Sequence, residues 1–430
     1  MKVAVIGLWH LGCVYSASLA SLGHQVLAID EDLARVNDLT RNVLPLEETG
    51  LADLMLTGVA SGNLTFSSDF DLIKTADVAW ITIDTPVRDD DSADVNAVFE
   101  IIDRVLLHLR NEALLVISSQ LPLGSTSRIE KRFAELRPDC RVDFAYSPEN
   151  LRLGTAISSF MEADRIVIGT SSQQAESTLS KLLAPLDIPI VSMSVESAEL
   201  SKHALNSFLA MSVAFANEIA RVAEHHGANA WDVAAALKSD RRIGPRAYVT
   251  PGGPIAGGTL ARDIRYLETL AHEDQVRIPV IEAVLESHNE QKLWPIRALV
   301  QTKGPKDGPI LVLGLAYKSG SSTLRRSFGL EVALQAKELG YDVRILDNSA
   351  EALPSGFEGL TRFADVNTAL VDTSAVIICA NESTVTTLPG LLQGIKEPPC
   401  LIDVIGAFNS SSQLLTEITV LCPGKARRDN

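Results

Sequence analysis

Val3-Ala4-Val5-Ile6-Gly7-Leu8-Trp9-His10-Leu11-Gly12 opens the chain, directly after Met1-Lys2. The first four residues are a short apolar run of strand type. Gly7 to Gly12 reads as a tight turn, and Val14–Leu22 reads as a helix. Gly23 stops that helix, and Gln25–Ile29 forms a second strand that runs into Asp30. Strand, turn, helix and strand in this order open a dinucleotide-binding unit. The first Gly permits the turn, and the last lets the helix pack against the strand. The middle position, usually Gly, lets backbone amides approach a diphosphate at the helix N-terminus. Here that position holds Trp9. Asp30 can accept bonds from the adenosine ribose hydroxyls and repels a 2′-phosphate, which favours NAD over NADP. Gly7, Trp9, His10, Leu11, Gly12 and Asp30 are therefore the expected cofactor contacts. A unit that has lost its cofactor is the alternative, raised by Trp9.

The same opening recurs late in the chain. Ile310–Leu313 is apolar, Gly314 begins a turn, a helical stretch ends at Leu339-Gly340, and Asp342–Leu346 leads to Asp347. In both copies a Leu-Gly precedes a strand that reaches Asp seven residues after the Gly. The loop before the helix is longer in the second copy. Further strand-like runs at Val78–Ile83 and Leu114–Ser118 flank a helical stretch, Val98–Leu109, which indicates a parallel, doubly wound sheet. From Val195 to about Ala223 the chain lacks Pro and Gly and reads as one long helix. Helix-rich sequence continues to about Val300, interrupted by a Pro- and Gly-rich loop over Gly244–Gly258. The expected architecture is α/β: two Rossmann-like domains (1–194 and 301–430) joined by a long central helix and a helical middle domain (195–300). The long helix is also the expected surface of a homodimer.

Composition narrows the function. Of the 430 residues, 46% are hydrophobic, as in a globular protein of two or three domains. The formal net charge of −16 argues against nucleic acid and anionic membranes as partners. No signal peptide or membrane-spanning run is visible. The five cysteines are scattered, which argues against a disulfide framework or a zinc site and fits a reducing cytoplasm.

Later stretches add chemistry. Asp84-Thr85-Pro86 and Pro122-Leu123-Gly124-Ser125-Thr126 each follow a strand. Ser147-Pro148-Glu149 and Asp164–Gly169 come next, then Glu199–Asn206 and Phe215-Ala216-Asn217-Glu218. Asp240–Gly244 precedes the Gly-rich loop and Arg262-Asp263 follows it. Gly314–Lys318 and Arg325-Arg326-Ser327 open the last domain. In this order and spacing the chain resembles the UDP-glucose/GDP-mannose dehydrogenase family over nearly its whole length. The resemblance implies oxidation of a sugar alcohol of a nucleotide-sugar to a carboxylate with two NAD, through a thioester on an active-site Cys. It implies an oxyanion grip by Lys202 and Asn206, whose i, i+4 spacing puts both on one helix face. It implies proton and water handling by Asp263 and acid–base work by Glu149. It also implies sugar contact by Arg242 from a partner subunit, by Gly257 and Gly258, and by Lys318 and Arg325 of the last domain. Thr85, Pro86 and Gln120 join the cofactor contacts.

Departures from the family fall on one half of that chemistry. Aligned on Arg262-Asp263, the nucleophile position is Thr259. The Thr that holds the catalytic water becomes Gln120, and the second Glu becomes Leu153. Asp403-Val404-Ile405 stands where Asp-Gly-Arg is usual, and Trp9 is the fifth change. A hydroxyl is a far weaker acid than a thiol, and an ester is a poorer acyl donor than a thioester. The expectation is hydride transfer on a nucleotide-sugar without the thioester route. An acid-forming enzyme with a rewired site, a non-catalytic nucleotide-sugar binder, and a hydroxyacid dehydrogenase of the 6-phosphogluconate type remain open. The second Rossmann-like unit weighs against the last of these.

Overall fold

The computed structural model describes residues 1–85, 94–256, 258–316, 324, 326–348, 352–357, 359–393, 395–408 and 418–425. Its contacts divide the chain into two compact units, Met1–Ala204 and Leu205–Asn430. The division falls within the long helix, which runs from Val195 to His226.

The first unit holds eight strands: β1 (Lys2–Ile6), β2 (Gln25–Ile29), β3 (Leu64–Ser67), β4 (Val78–Ile81), β5 (Ala113–Ile117), β6 (Val142–Tyr146), β7 (Ile166–Thr170) and β8 (Ile190–Met193). Their order is β3-β2-β1-β4-β5-β6-β7-β8, so the first six follow the doubly wound order with its switch beside β1. All neighbours are parallel except β6 and β7. The apolar run of β1 is buried on both faces, as a parallel strand must be. Val3 and Val5 enter one core and Ala4 and Ile6 the other.

The second unit repeats the plan. Its strands β9 (Ile310–Leu313), β10 (Val343–Leu346), β11 (Thr361–Phe363), β12 (Ala375–Ile378), β13 (Cys400–Asp403) and β14 (Val420–Leu421) take the order β11-β10-β9-β12-β13-β14, all parallel. Ile310 and Val312 face one core, Leu311 and Leu313 the other.

The two turns that follow β1 and β9 obey one constraint. Gly7 has φ +95° and Gly314 has φ +84°, a region where a Cβ is disfavoured. A methyl on Gly12 would lie 1.7 Å from the Gly7 carbonyl oxygen, and one on Gly329 would lie 2.5 Å from that of Gly314. Asp30 accepts the Leu8 N–H at 2.6 Å, while Asp347 accepts those of Leu315 and Ala316 at 2.7 Å. The first helix spans His10–Ser21 and so begins four residues before the start at Val14 that apolar patterning indicates. Gly12 and His10 hide this start, because neither is a strong helix former. The backbone nevertheless turns directly from Gly7 into the helix.

In the second unit the Gly-rich loop is held by side chains. Asn217 accepts from Gly252 N–H and donates to Gly253 C=O, both at 3.0 Å. Gln291 donates to Gly252 C=O at 2.8 Å, and His288 Nδ1 accepts the Ile255 N–H at 3.1 Å. Asn217 lies on the long helix; His288 and Gln291 lie on the helix Pro279–Lys292. The loop thus has fixed backbone polarity without regular structure.

Two outcomes follow from this packing. Gly329→Ala forces its methyl into the Gly314 carbonyl, and overpacking of this kind costs about 1–3 kcal/mol. The thermal transition of the variant falls, and an unchanged midpoint would contradict the close approach. Burial, with Lys292 adding to it, holds His288 down to about 4 from the usual 6.5. Because the neutral ring is the folded form, its contribution is complete above pH 6.5 and is lost as pH falls toward 4. Melting temperature against pH should therefore drop less steeply over this window in His288→Gln than in the native protein; equal slopes would contradict the assignment.

Candidate active site

In the first unit the end of β2 carries a dense polar cluster. Asp30 is buried and accepts three bonds. Leu8 N–H and Arg35 Nη1 (2.9 Å) bind Oδ2, and Asp32 N–H (2.9 Å) binds Oδ1. The Arg35 guanidinium lies over the Trp9 ring, 5.3 Å from its centre, within cation–π range. Trp9 has φ −84° and ψ −153°, an ordinary extended conformation, so the missing middle Gly does not strain the backbone. What changes is space: the indole is 42% exposed beside the turn. Gly7, Gly12 and Asp30 keep the geometry a dinucleotide needs, so the residues present fit NAD.

His10, the first residue of the helix, meets Glu48 at 2.9 Å. Glu48 in turn accepts Gly154 N–H at 2.8 Å and Ala156 N–H at 3.0 Å. These bonds hold its carboxyl below the usual range despite burial. The dinucleotide turn is thereby tied to the segment that carries Leu153. Leu11 N–H donates to Asp84 at 3.3 Å, and Thr85 Oγ donates to Gln120 C=O at 2.7 Å. Two separate cofactor expectations, Thr85 and Gln120, are thus in contact.

Lys202 is buried on the long helix. Its ammonium donates to the Glu149 carbonyl and lies 3.3 Å from Glu149 Oε1. Glu149 also accepts Leu151 N–H at 2.9 Å. The carboxylate of Glu199 fixes the next structural piece, accepting from Gly124 N–H (2.6 Å), Thr126 N–H (2.8 Å) and Thr126 Oγ (2.7 Å).

In the second unit, Asn206 donates through Nδ2 to Asp263, and both are buried. Asp263 lies one turn into the helix Thr259–Glu273, whose first residue, Thr259, is exposed. Gly258 precedes it. A methyl at Gly258 would lie 1.0 Å from Arg326 Nη1, so the Arg326 guanidinium rests on this glycine. Arg326 has φ +56°, the left-handed region that non-glycine residues rarely adopt. Arg242 is exposed and pairs with Asp240 at 2.6 Å. Pro86, Gly257, Lys318 and Arg325 lie outside the described residues.

All five cysteines are free. Burial pushes the Cys13 and Cys422 thiols up to about 12, with nearby carboxylates adding to it, and pushes the Cys379 thiol up as well. Thiols so raised are poor nucleophiles.

Sequence reading passed over Arg35 and Glu48. Glu48 carries no motif because its partners His10, Gly154 and Ala156 lie far along the chain, whereas Arg35 lies only five residues from Asp30 but belongs to no motif. Arg326 belongs to the Arg325-Arg326-Ser327 stretch singled out in the sequence, and its guanidinium rests on Gly258. Asn217 left a signal: an amide amid the small apolar residues of a helix.

Three successive family models match the chain. They describe the NAD binding domain (residues 1–187), central domain (196–290) and UDP binding domain (311–410) of the UDP-glucose/GDP-mannose dehydrogenase family. The chain is 31% identical to UDP-glucose 6-dehydrogenase TuaD of Bacillus subtilis, over 95% of this chain and 90% of that protein. It is 29% identical to UDP-glucose 6-dehydrogenase YwqF of the same organism, over 99% and 98%. Among solved structures, a UDP-glucose dehydrogenase from Pyrobaculum islandicum superposes with a TM-score of 0.88 at 27% identity, covering 99% of this chain and 98% of that one. A UDP-D-ManNAc dehydrogenase from Pyrococcus horikoshii shares the fold, with a TM-score of 0.85 at 21% identity and 99% coverage of both chains. The order of the three models and the length of the 31% match establish that this chain belongs to the UDP-glucose/GDP-mannose dehydrogenase family, as an NAD-dependent nucleotide-sugar dehydrogenase.

Proposed function

We propose that this enzyme oxidises an alcohol of a UDP-sugar, in a reaction of the UDP-glucose 6-dehydrogenase type, without a covalent thioester. The observation that carries the reading is Thr259. It stands exposed at the start of its helix, while every thiol of the chain lies elsewhere and three are buried with raised pKa. The names of the Bacillus and Pyrobaculum relatives support UDP-glucose or a near analogue as substrate.

NAD, when bound, supplies the acceptor for the hydride. Gly7, Gly12 and the first helix are assigned to its diphosphate, with Trp9, His10 and Leu11 beside it. Asp30 is assigned to the adenosine ribose, and Thr85, Pro86 and Gln120 are assigned to the nicotinamide side. The Lys202 ammonium stabilises negative charge as the alcohol oxygen loses its proton, and Asn206 adds an amide one turn along the same helix. Glu149, held against Lys202, and Asp263, oriented by Asn206, serve as proton acceptors. Loss of hydride and proton leaves an aldehyde. Water addition gives a hydrate, and loss of a second hydride to a second NAD with release of two protons yields the carboxylate with no bond to Thr259. Arg242, Gly257, Gly258, Lys318 and Arg325 are assigned to the nucleotide-sugar, Arg242 from a partner subunit.

A homodimer through the long helix fits its outer face. Phe208, Phe215 and Val222 recur every seven residues and are 60%, 46% and 58% exposed. A stripe of large apolar groups at that spacing marks a helix-packing surface. The free cysteines and the absence, among the described residues, of a helix long and apolar enough to cross a membrane support a cytoplasmic setting.

Turnover of UDP-glucose, followed by nicotinamide absorbance and product mass, should give aldehyde or acid with no acyl-enzyme on intact-protein mass analysis. A trapped acyl adduct with two NADH per sugar would overturn the reading. Thr259→Cys should introduce a trappable thioester. Phe208→Glu with Phe215→Glu should halve the mass in solution by light scattering; an unchanged dimer would place the interface elsewhere.

A further inference from the structure

Two side chains at the end of β2 give opposite signals about the cofactor. Asp30 is a carboxylate of the kind that accepts ribose hydroxyls and repels a 2′-phosphate, whereas an Arg beside that position is the usual means of accepting the phosphate. Arg35 is such an Arg. It lies in the helix Leu33–Thr40, five residues past Asp30. Its Nη1 donates to Asp30 Oδ2 at 2.9 Å, and its Nη2 lies 3.6 Å from Asp32 Oδ2. Its side chain is 29% exposed, so a ligand at Asp30 meets a cation as well as an anion. Trp9 is the third member of the group. It stands where the dinucleotide turn usually has Gly, and the Arg35 guanidinium lies over its ring. The guanidinium thus has two carboxylates along its edge and an indole against its face.

We propose that Trp9 is a specificity-determining residue for the cofactor: it keeps Arg35 from serving a 2′-phosphate and so enforces NAD over NADP. The inference rests on the assignment of Asp30 to the adenosine ribose. In its observed place the guanidinium is one positive charge facing two negative ones, so a phosphate approaching that edge meets net repulsion. To serve a phosphate, Arg35 has to swing away from Asp30 and Asp32. Ribose hydroxyls encourage that movement, because they compete with Arg35 for the Asp30 carboxylate. The indole opposes it, because a cation that leaves an aromatic face gives up an attraction worth about twofold to fivefold in an equilibrium at an exposed site, and more where water is excluded. Trp9 therefore retains Arg35 at the moment when the ribose has loosened it. A small residue at this position would leave the guanidinium free to follow the phosphate.

Calorimetry on the full chain tests this with NAD, NADP, ADP-ribose and 2′-phospho-ADP-ribose. The quantity read is the preference, the dissociation constant of each phosphorylated ligand divided by that of its unphosphorylated counterpart. The native protein should prefer NAD and ADP-ribose. Trp9→Ala should lower both preferences at least threefold, and Trp9→Phe, which keeps an aromatic face, should lower them less. In an Arg35→Ala background Trp9→Ala should leave the preferences unchanged, because the cation it would release is gone. Preferences unmoved by Trp9→Ala, in a native protein that selects NAD, would overturn the proposal and leave the assignment of Asp30 standing. An equal fall in the Arg35→Ala background would assign the effect to space rather than to the cation and also overturn it. A native protein that binds both dinucleotides equally, or neither, would remove the proposal together with the assignment beneath it. Melting temperatures of the variants confirm that folded proteins are compared.

Discussion

Everything else in this molecule depends on a buried carboxylate at the end of a second strand that accepts the N–H groups following the first. Asp30 does this for Leu8, and Asp347 does it for Leu315 and Ala316. A turn this tight leaves its amides pointing inward, where an unpaired N–H costs about 1–3 kcal/mol. The carboxylate satisfies them and locks the two strand ends together. The helix then has to start at once, and its glycine has to lie on the turn carbonyl: Gly12 on Gly7, Gly329 on Gly314. One constraint, met twice, sets where both crevices open.

That constraint is why so much of the fold was legible. Gly spacing, an apolar run buried on both faces, and Asp at the strand end are short-range signals that survive in one sequence. They predicted both Rossmann-like sheets, and the strand orders agree. What stayed hidden was long-range. Nothing local distinguishes Glu48 from any loop carboxylate, yet it joins His10 to Gly154 and Ala156. The reversal of β7 against β6 also left no mark, because a buried strand has the same pattern in either direction. The start of the first helix was misread because the turn geometry, not helix propensity, decides it.

The site was legible in a different way. Residue types came from the resemblance, whereas the pairs came from packing. Lys202 with Glu149, Asn206 with Asp263, and Thr85 with Gln120 were each expected singly. A lone helical Lys is usually a solvated charge. Burial of Lys202 against a carboxylate separates it from that class, because a buried ammonium must be paired. Arg326 shows the limit of motif reading. Its neighbour matched the pattern, but the backbone with positive φ turns Arg326 onto Gly258.

The charge arrangement explains how a chain of net charge −16 can take two anionic ligands. A global negative field opposes a dinucleotide and a nucleotide-sugar alike, so local groups must reverse it. Yet the cations at these positions are not held in reserve. Arg35 is bound to Asp30, Lys202 faces Glu149, and Arg242 is clamped by Asp240. A paired cation contributes little net field until its carboxylate finds another donor. Ribose hydroxyls, which can donate to Asp30, would release part of Arg35 as they dock. On the proposed assignment of Asp30 to the ribose, binding is an exchange of partners, in which the hydroxyls replace Arg35 on that carboxylate. Such exchange favours a ligand that offers both donors and an anion in the right order. On the same assignment a bare phosphate, which brings charge but no hydroxyl donors, would gain far less than the ribose–diphosphate pattern of a nucleotide.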